Sequence, residues 1–153
     1  MALEVIDTSD WTLERILPFV GDVISQFQRL SDRFPDDTSP AWLWNEWISG
    51  RRKLWLVLED GAFKACALTH INVMQSSGKK EAVLLDLAGP GIAEYADELN
   101  RALEDWARRE GADFCSVIGR RGWERMLKSY GYRTQTVVYR KDMGNGIVQP
   151  NEV

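Results

Sequence analysis

The spacing of apolar residues changes character repeatedly along this chain, and each change predicts an element. Leu3–Asp7 alternates briefly and predicts a short edge strand. Thr8, Ser9 and Asp10 then offer helix caps for a segment reaching about Leu30, in which Leu13, Ile16, Leu17, Val20, Ile24 and Phe27 recur every three or four residues. Pro18 and Gly21 lie inside that run and predict one bent helix. After a loop beginning at Arg33, Ser39 caps a second, short helix with Pro40 at its first position, ending near Gly50. Its tryptophans, Trp42, Trp44 and Trp47, cannot share one face, because positions 42 and 44 lie about 200° apart at helical pitch. At least one of them is expected to touch a ligand, a partner or another loop.

Lys53–Glu59 and Ala62–Val73 are rich in strand formers and are joined by Asp60-Gly61, whose tolerance of positive φ suits a two-residue hairpin. A polar turn from Gln75 leads into Lys80–Ala88, the third strand of an antiparallel meander. A long amphipathic helix starts near Pro90, buries Ile92, Ala96, Leu99, Leu103 and Trp106, turns Glu94, Glu98, Arg101, Asp105 and Arg109 outward, and stops at Gly111. Residues 112–118 then predict a strand, 123–130 a short helix closed by Gly131, and 132–141 a final strand of alternating polar and apolar residues. The order is β-α-α-β-β-β-α-β-α-β. A helical crossover between 80–88 and 112–118 makes those two strands parallel, so the expected fold is α/β (α+β), a mixed sheet flanked by helices. It is expected to form a single domain over 1–143, with a flexible tail at 144–153.

With 153 residues, 44% of them hydrophobic, the chain has enough apolar material for one packed core. The net charge of −4 argues against general affinity for nucleic acid, but that charge is unevenly spread. Residues 1–50 hold nine carboxylates against three arginines, whereas residues 119–141 hold seven basic side chains against Glu124 alone. The back third can attract anions; its basic residues, spread over a strand, a loop and a helix, otherwise read as a solvated face. Cys66 and Cys115, isolated cysteines 49 positions apart within predicted strands, read as small buried apolar residues rather than as a disulfide or metal pair. One histidine and two distant cysteines exclude a zinc site, and neither a nucleophile elbow nor a Gly-x-x-x-x-Gly-Lys phosphate loop occurs. No apolar run approaches the ~20 residues that span a bilayer, and no basic-then-apolar leader opens the chain, so a soluble, cytoplasmic protein is expected.

The most informative junction is Leu84-Leu-Asp-Leu-Ala-Gly-Pro-Gly-Ile-Ala, where a strand delivers glycines directly into a helix N-terminus. Free N–H groups at such a terminus donate to phosphate oxygens. This junction, in this order of elements, resembles the GNAT superfamily of acyl-CoA N-acyltransferases over about residues 1–143. That family runs a strand into Gln/Arg-x-x-Gly-x-Gly/Ala, whose backbone holds the CoA pyrophosphate. Here the aligned stretch is Asp86-Leu87-Ala88-Gly89-Pro90-Gly91, with both glycines present. The resemblance implies acetyl-CoA or another acyl-CoA as co-substrate, bound by Leu87, Ala88, Gly89, Gly91 and Ile92. Asp86 replaces the family's Gln or Arg and brings negative charge, while Pro90 removes a donor. Arg120 and Arg121, after the second parallel strand, are the candidate source of the missing positive charge.

Gly131-Tyr132 fits the Gly-Phe that closes the family's C-terminal pattern. Counting back puts Leu127 where its general-acid tyrosine sits and Arg120 where its asparagine sits, so no catalytic residue is assigned. The titratable candidates are His70, otherwise a packed strand histidine; Asp86, a base if burial raises its pKa and otherwise a turn or cap group; and Tyr130 and Tyr132, near the predicted cleft or anchoring the final strand. Two functions compete. One is an N-acyltransferase whose small-molecule or peptide amine enters beside the acidic N-terminal helices. The other is a catalytically silent GNAT-like binding or assembly module using the Trp42/Trp44/Trp47 helix against a protein partner. Gly-Arg-x-Gly-Trp at 119–123 also resembles small phage-encoded GNAT-like proteins, which would place the chain in host cytoplasm or a virion.

Overall fold

The hairpin at Asp60-Gly61 organises the sheet. A computed structural model, which describes residues 2–144, gives Asp60 and Gly61 φ values of 51° and 81°, the left-handed pair a tight two-residue turn requires. The turn joins β2 (Lys53–Glu59) to β3 (Ala62–Val73), and β4 (Lys80–Ala88) completes the antiparallel meander, each with the bounds expected from the sequence. β1 (Leu3–Asp7) pairs antiparallel with β2, and β5 (Phe114–Val117) pairs parallel with β4, giving the order β1-β2-β3-β4-β5. The helices are α1 (Leu13–Arg33), α2 (Pro40–Ile48), α3 (Ile92–Arg109) and α4 (Glu124–Ser129), the last preceded by a 3₁₀ turn at Arg121–Trp123. The chain divides into two compact units, residues 1–120 and 121–153; the first holds the sheet with α1 to α3, the second the 3₁₀ turn and α4.

Alternation along β2 and β3 feeds two cores. Trp55, Val57, Ala65 and Ala67 meet Tyr95, Leu99, Leu103 and Trp106 of α3 on one face. Leu54, Leu56, Cys66 and Leu68 meet Ile16, Val23, Phe27 and Leu43 of α1 and α2 on the other. Under α3 the rings of Trp55 and Trp106 pack edge-on at 5.7 Å, and Trp55 Nε1 donates to Thr69 Oγ1 at 2.8 Å, so the buried indole loses no hydrogen bond.

Three expectations are corrected. The cap of α1 is Thr12, whose Oγ1 accepts from the Arg15 N–H at 3.3 Å; Thr8 instead donates to the Leu54 carbonyl at 2.8 Å and extends the β1 edge. Leu13, Leu17 and Ile24 are exposed, and Ile16, Val23 and Phe27 are the buried face of α1, which runs unbroken through Pro18. The final strand is not seen among the described residues: 132–141 is assigned no strand there, and Val137, Val138 and Tyr139 are exposed; an alternating segment becomes a strand only when a ladder partner takes it. The tail expected beyond residue 144 lies outside the described residues.

Candidate functional site

The parallel ladder stops early. β4 and β5 pair from Glu81↔Phe114 to Leu84↔Val117, and the Ile118 N–H closes the ladder on the Leu84 carbonyl at 3.0 Å. β4 continues to Ala88, paired on its other side with β3 as far as Cys66↔Ala88. Among the described residues, positions 85–88 therefore have no strand partner on their β5 side.

The chain then turns through Gly89, Pro90 and Gly91 into α3. Gly89 has φ of 151°, and a Cβ there would lie 2.4 Å from the Ala65 Cβ and 2.7 Å from the Lys64 carbonyl oxygen. Its lack of a side chain thus serves the packing of the turn on β3. The Gly89 carbonyl accepts from the hydroxyl of fully buried Tyr95 at 3.4 Å, and burial pushes that phenol up to about 12, keeping it a donor. Gly91 is the N-cap of α3 in left-handed conformation, with no side-chain capping bond. A Cβ at Gly91 would lie 3.2 Å from Glu94 Oε1, so the carboxylate of Glu94 stands against the positive end of α3. Glu94 pairs with the ammonium of Lys64, which also bonds Glu59 Oε2 at 3.0 Å; the two carboxylates raise the Lys64 pKa.

Lys64 owes its position to a β-bulge. Val57 pairs with Ala65 and Leu58 with Phe63, which leaves Lys64 as the extra residue. A second bulge works in β4, where Thr69 pairs with Leu84 and Leu68 with Asp86, leaving Leu85 over. Ala82 and Leu84 face α3, and strict alternation would bring Asp86 there too. The bulge gives that place to Leu87 and turns Asp86 to the α1/α2 face.

On that face Asp86 Oδ2 accepts from Arg52 Nη1 at 2.6 Å, with the side chains 14% and 15% exposed respectively. The Arg52 guanidinium lies 4.6 Å from the centroid of Trp42, so Trp42 meets the loop after α2, while Trp44 and Trp47 pack edge-on at 5.1 Å. Burial raises the Asp86 pKa and Arg52 opposes that rise. His70, two residues beyond Leu68 in β3, has its pKa lowered by burial and then by the Arg52 charge. Asp86 is thus neither a turn nor a cap group, and its charge is held by Arg52 on the face opposite α3.

Leu87, Ala88, Gly89, Gly91 and Ile92 form one continuous stretch at the carboxyl end of β4. Arg120 is exposed just beyond the carboxyl end of the parallel β5, and Arg121 is exposed at the first position of the 3₁₀ turn, in the second unit. Tyr130 and Tyr132 donate their backbone N–H groups to the Leu127 carbonyl at 3.0 and 3.1 Å, closing α4. Cys66 is a free, buried thiol, and burial pushes it up to about 12. Sequence patterns missed Lys64, Arg52 and Tyr95. Glu94 alone carried a signal, standing three residues after the N-cap, where a carboxylate favours helix starts.

No family model matches the sequence, and no curated protein sequence matches it. Solved structures do. A glucosamine-6-phosphate N-acetyltransferase from Arabidopsis thaliana shares 9% identity at a TM-score of 0.66, covering 94% of this chain and 99% of that one. An aminoglycoside acetyltransferase from an uncultured soil metagenomic sample, in complex with sisomicin, shares 14% at 0.60 over 93% and 95%. A transcriptional regulator from Bacillus halodurans shares 9% at 0.69 over 93% and 100%. At such identities the likeness concerns the path of the backbone, and it runs over nearly the whole length of each chain: this protein has the fold of the GNAT acetyltransferases.

Proposed function

We propose that this chain is an acyl-CoA-dependent N-acyltransferase acting on an amine acceptor, with acetyl-CoA or another acyl-CoA as co-substrate. The observation that carries this is the β4 edge at 85–88, which has no strand partner on its β5 side among the described residues and runs directly into an α3 N-terminus that has no side-chain cap. An acyl-CoA presents amides along its pantetheine arm and a pyrophosphate beyond them. The amides can add to a free strand edge at Leu87 and Ala88, and the pyrophosphate can take the N–H groups of Gly91 and Ile92. Pro90 contributes none. Glu94 occupies that end of α3 and is exposed, so it can swing into solvent and leave Lys64 to the phosphates. Arg120 and Arg121 add further positive charge in this proposal.

The amine belongs on the α1/α2 face beside Asp86. Transfer forms a C–N bond and breaks the thioester C–S bond; the amine loses a proton and the departing thiolate gains one. Asp86, whose pKa burial raises, is the candidate proton acceptor. The acidic first 50 residues favour a cationic acceptor, and the two named acetyltransferases of this fold carry amino-sugar compounds in their descriptions.

Calorimetric titration with acetyl-CoA tests the proposal. Binding is expected, weakened about tenfold in Lys64→Ala and by lesser factors in Arg120→Ala and Arg121→Ala, each a lost charge-assisted contact. Glu94→Gln is expected to bind severalfold tighter, because it removes a competing anion from the helix end. Neither heat nor thermal stabilisation at millimolar acetyl-CoA would sink the proposal and favour the silent scaffold.

A further inference from the structure

On the α1/α2 face Asp86 is already paired. Arg52 Nη1 donates to Asp86 Oδ2 at 2.6 Å, and the side chains of Arg52 and Asp86 keep 15% and 14% of their surface open. The guanidinium is held in place: the Arg52 backbone N–H bonds the Glu46 carbonyl at 2.9 Å, and the Trp42 ring, itself 40% exposed, lies 4.6 Å from it. A guanidinium has more donors, and a carboxylate more acceptor positions, than one such contact uses. Other charges nearby are balanced. Arg51 Nε bonds Glu46 Oε2 at 2.7 Å, and His70, its pKa lowered by burial and by Arg52, is neutral at neutral pH. A simple ammonium brought to Asp86 therefore meets the Arg52 guanidinium as a like charge, in a half-buried site that water screens little. An acceptor that brings its own anion to Arg52 avoids this.

We infer that the acceptor is an α-amino acid, its ammonium on Asp86 and its carboxylate on Arg52, which rests on the acyltransferase function proposed for the chain. The four charges then alternate around a closed ring, each cation between two anions, and the planar guanidinium offers its remaining N–H groups to the incoming carboxylate. The ammonium gives one proton to Asp86 and becomes the nucleophile. As the C–N bond forms and the thioester C–S bond breaks, a second proton passes to the departing thiolate, and Asp86 returns its own to solvent. The acidic first 50 residues favour a positive side chain beyond the zwitterionic head, so L-arginine is the first probe.

Calorimetric titration with L-arginine and with L-leucine, each beside its own amide and with and without CoA, tests this, together with acetyl transfer followed as released thiol. Each acid is expected to bind at least about tenfold tighter than its amide, which keeps the amine and side chain and loses only the anion that Arg52 takes. Arg52→Gln is expected to bring acid and amide within about twofold of each other, and Arg52→Lys to narrow the gap severalfold. Arg52→Lys keeps a charge beside Asp86, so the comparison survives if Arg52→Gln does not fold. Acid and amide bound equally by the parent protein, neither acid bound at millimolar concentration, or a preference unchanged in the folded variants overturns the inference. Acetyl transfer to amides as fast as to acids removes only the amino-acid acceptor and leaves the acyltransferase function standing. Selective binding of the acids with no thiol released removes the transfer and keeps the site.

Discussion

Gly89 is held to glycine from two directions, by a φ of 151° and by the β3 backbone against which it lies. Neither Ala65 nor the Lys64 carbonyl can yield without moving the strand. Gly89→Ala is therefore expected to destabilise the fold by about 2–3 kcal/mol, measured as a lower urea midpoint at unchanged m-value. Gly91→Ala meets only the tip of Glu94 and an αL backbone, for about 1–2 kcal/mol. Two glycines alike in the sequence thus do different work. At Asp86 the raised pKa sets a sign. The carboxylate is a base only above that pKa, so kcat/KM for amine acetylation is expected to climb with pH through a value above the usual carboxylate range. Asp86→Asn should flatten that limb and lower kcat by roughly 10²–10⁴-fold; an unchanged profile would remove Asp86 from the chemistry.

At the scale of an element, α1 shows how far periodicity reaches. Leu13, Leu17 and Ile24 fall within about 40° of one another around the helix, and Ile16, Val23 and Phe27 within about 40° of an adjoining flank. The apolar arc is wide enough to bury either flank, and contact with α2 and the sheet selects the second. Ile16→Ala is accordingly expected to cost about 2–4 kcal/mol in chemical denaturation, and Leu17→Ser less than about 0.5 kcal/mol. The cap divides the same way: Thr12→Ala should cost about 1 kcal/mol and Asp10→Ala close to nothing, both read from thermal or urea unfolding. β2, β3 and β4 were legible with their bounds because turn chemistry at Asp60-Gly61 and at the polar 75–79 segment punctuates them locally. At 132–141 the strand-forming composition was legible but its pairing was not, because a ladder needs an edge that no property of the segment supplies.

Across the whole molecule, stability should fall from the centre of the sheet outward. β3 is hydrogen-bonded on both sides and covered on both faces, whereas β1 and β5 are edges. Native-state hydrogen exchange is expected to show the slowest amides around Cys66 to Thr69 and much faster exchange in β1 and β5. Uniform protection over all five strands would contradict this. The sequence by itself determined the order of elements, the hairpin, the crossover that makes β4 and β5 parallel, and the glycine junction before α3, since each follows from local turn chemistry or from a period sustained over several residues. Only the tertiary structure decided which face Asp86 occupies, that Lys64 reaches the start of α3, and that Gly89 answers to β3. A strand's alternation predicts sidedness only while no residue is inserted, and one extra residue at Leu85 or Lys64 reverses everything beyond it. Such bulges arise from the fit of one strand against its neighbours, which is a property of the assembled sheet and of no short stretch of sequence.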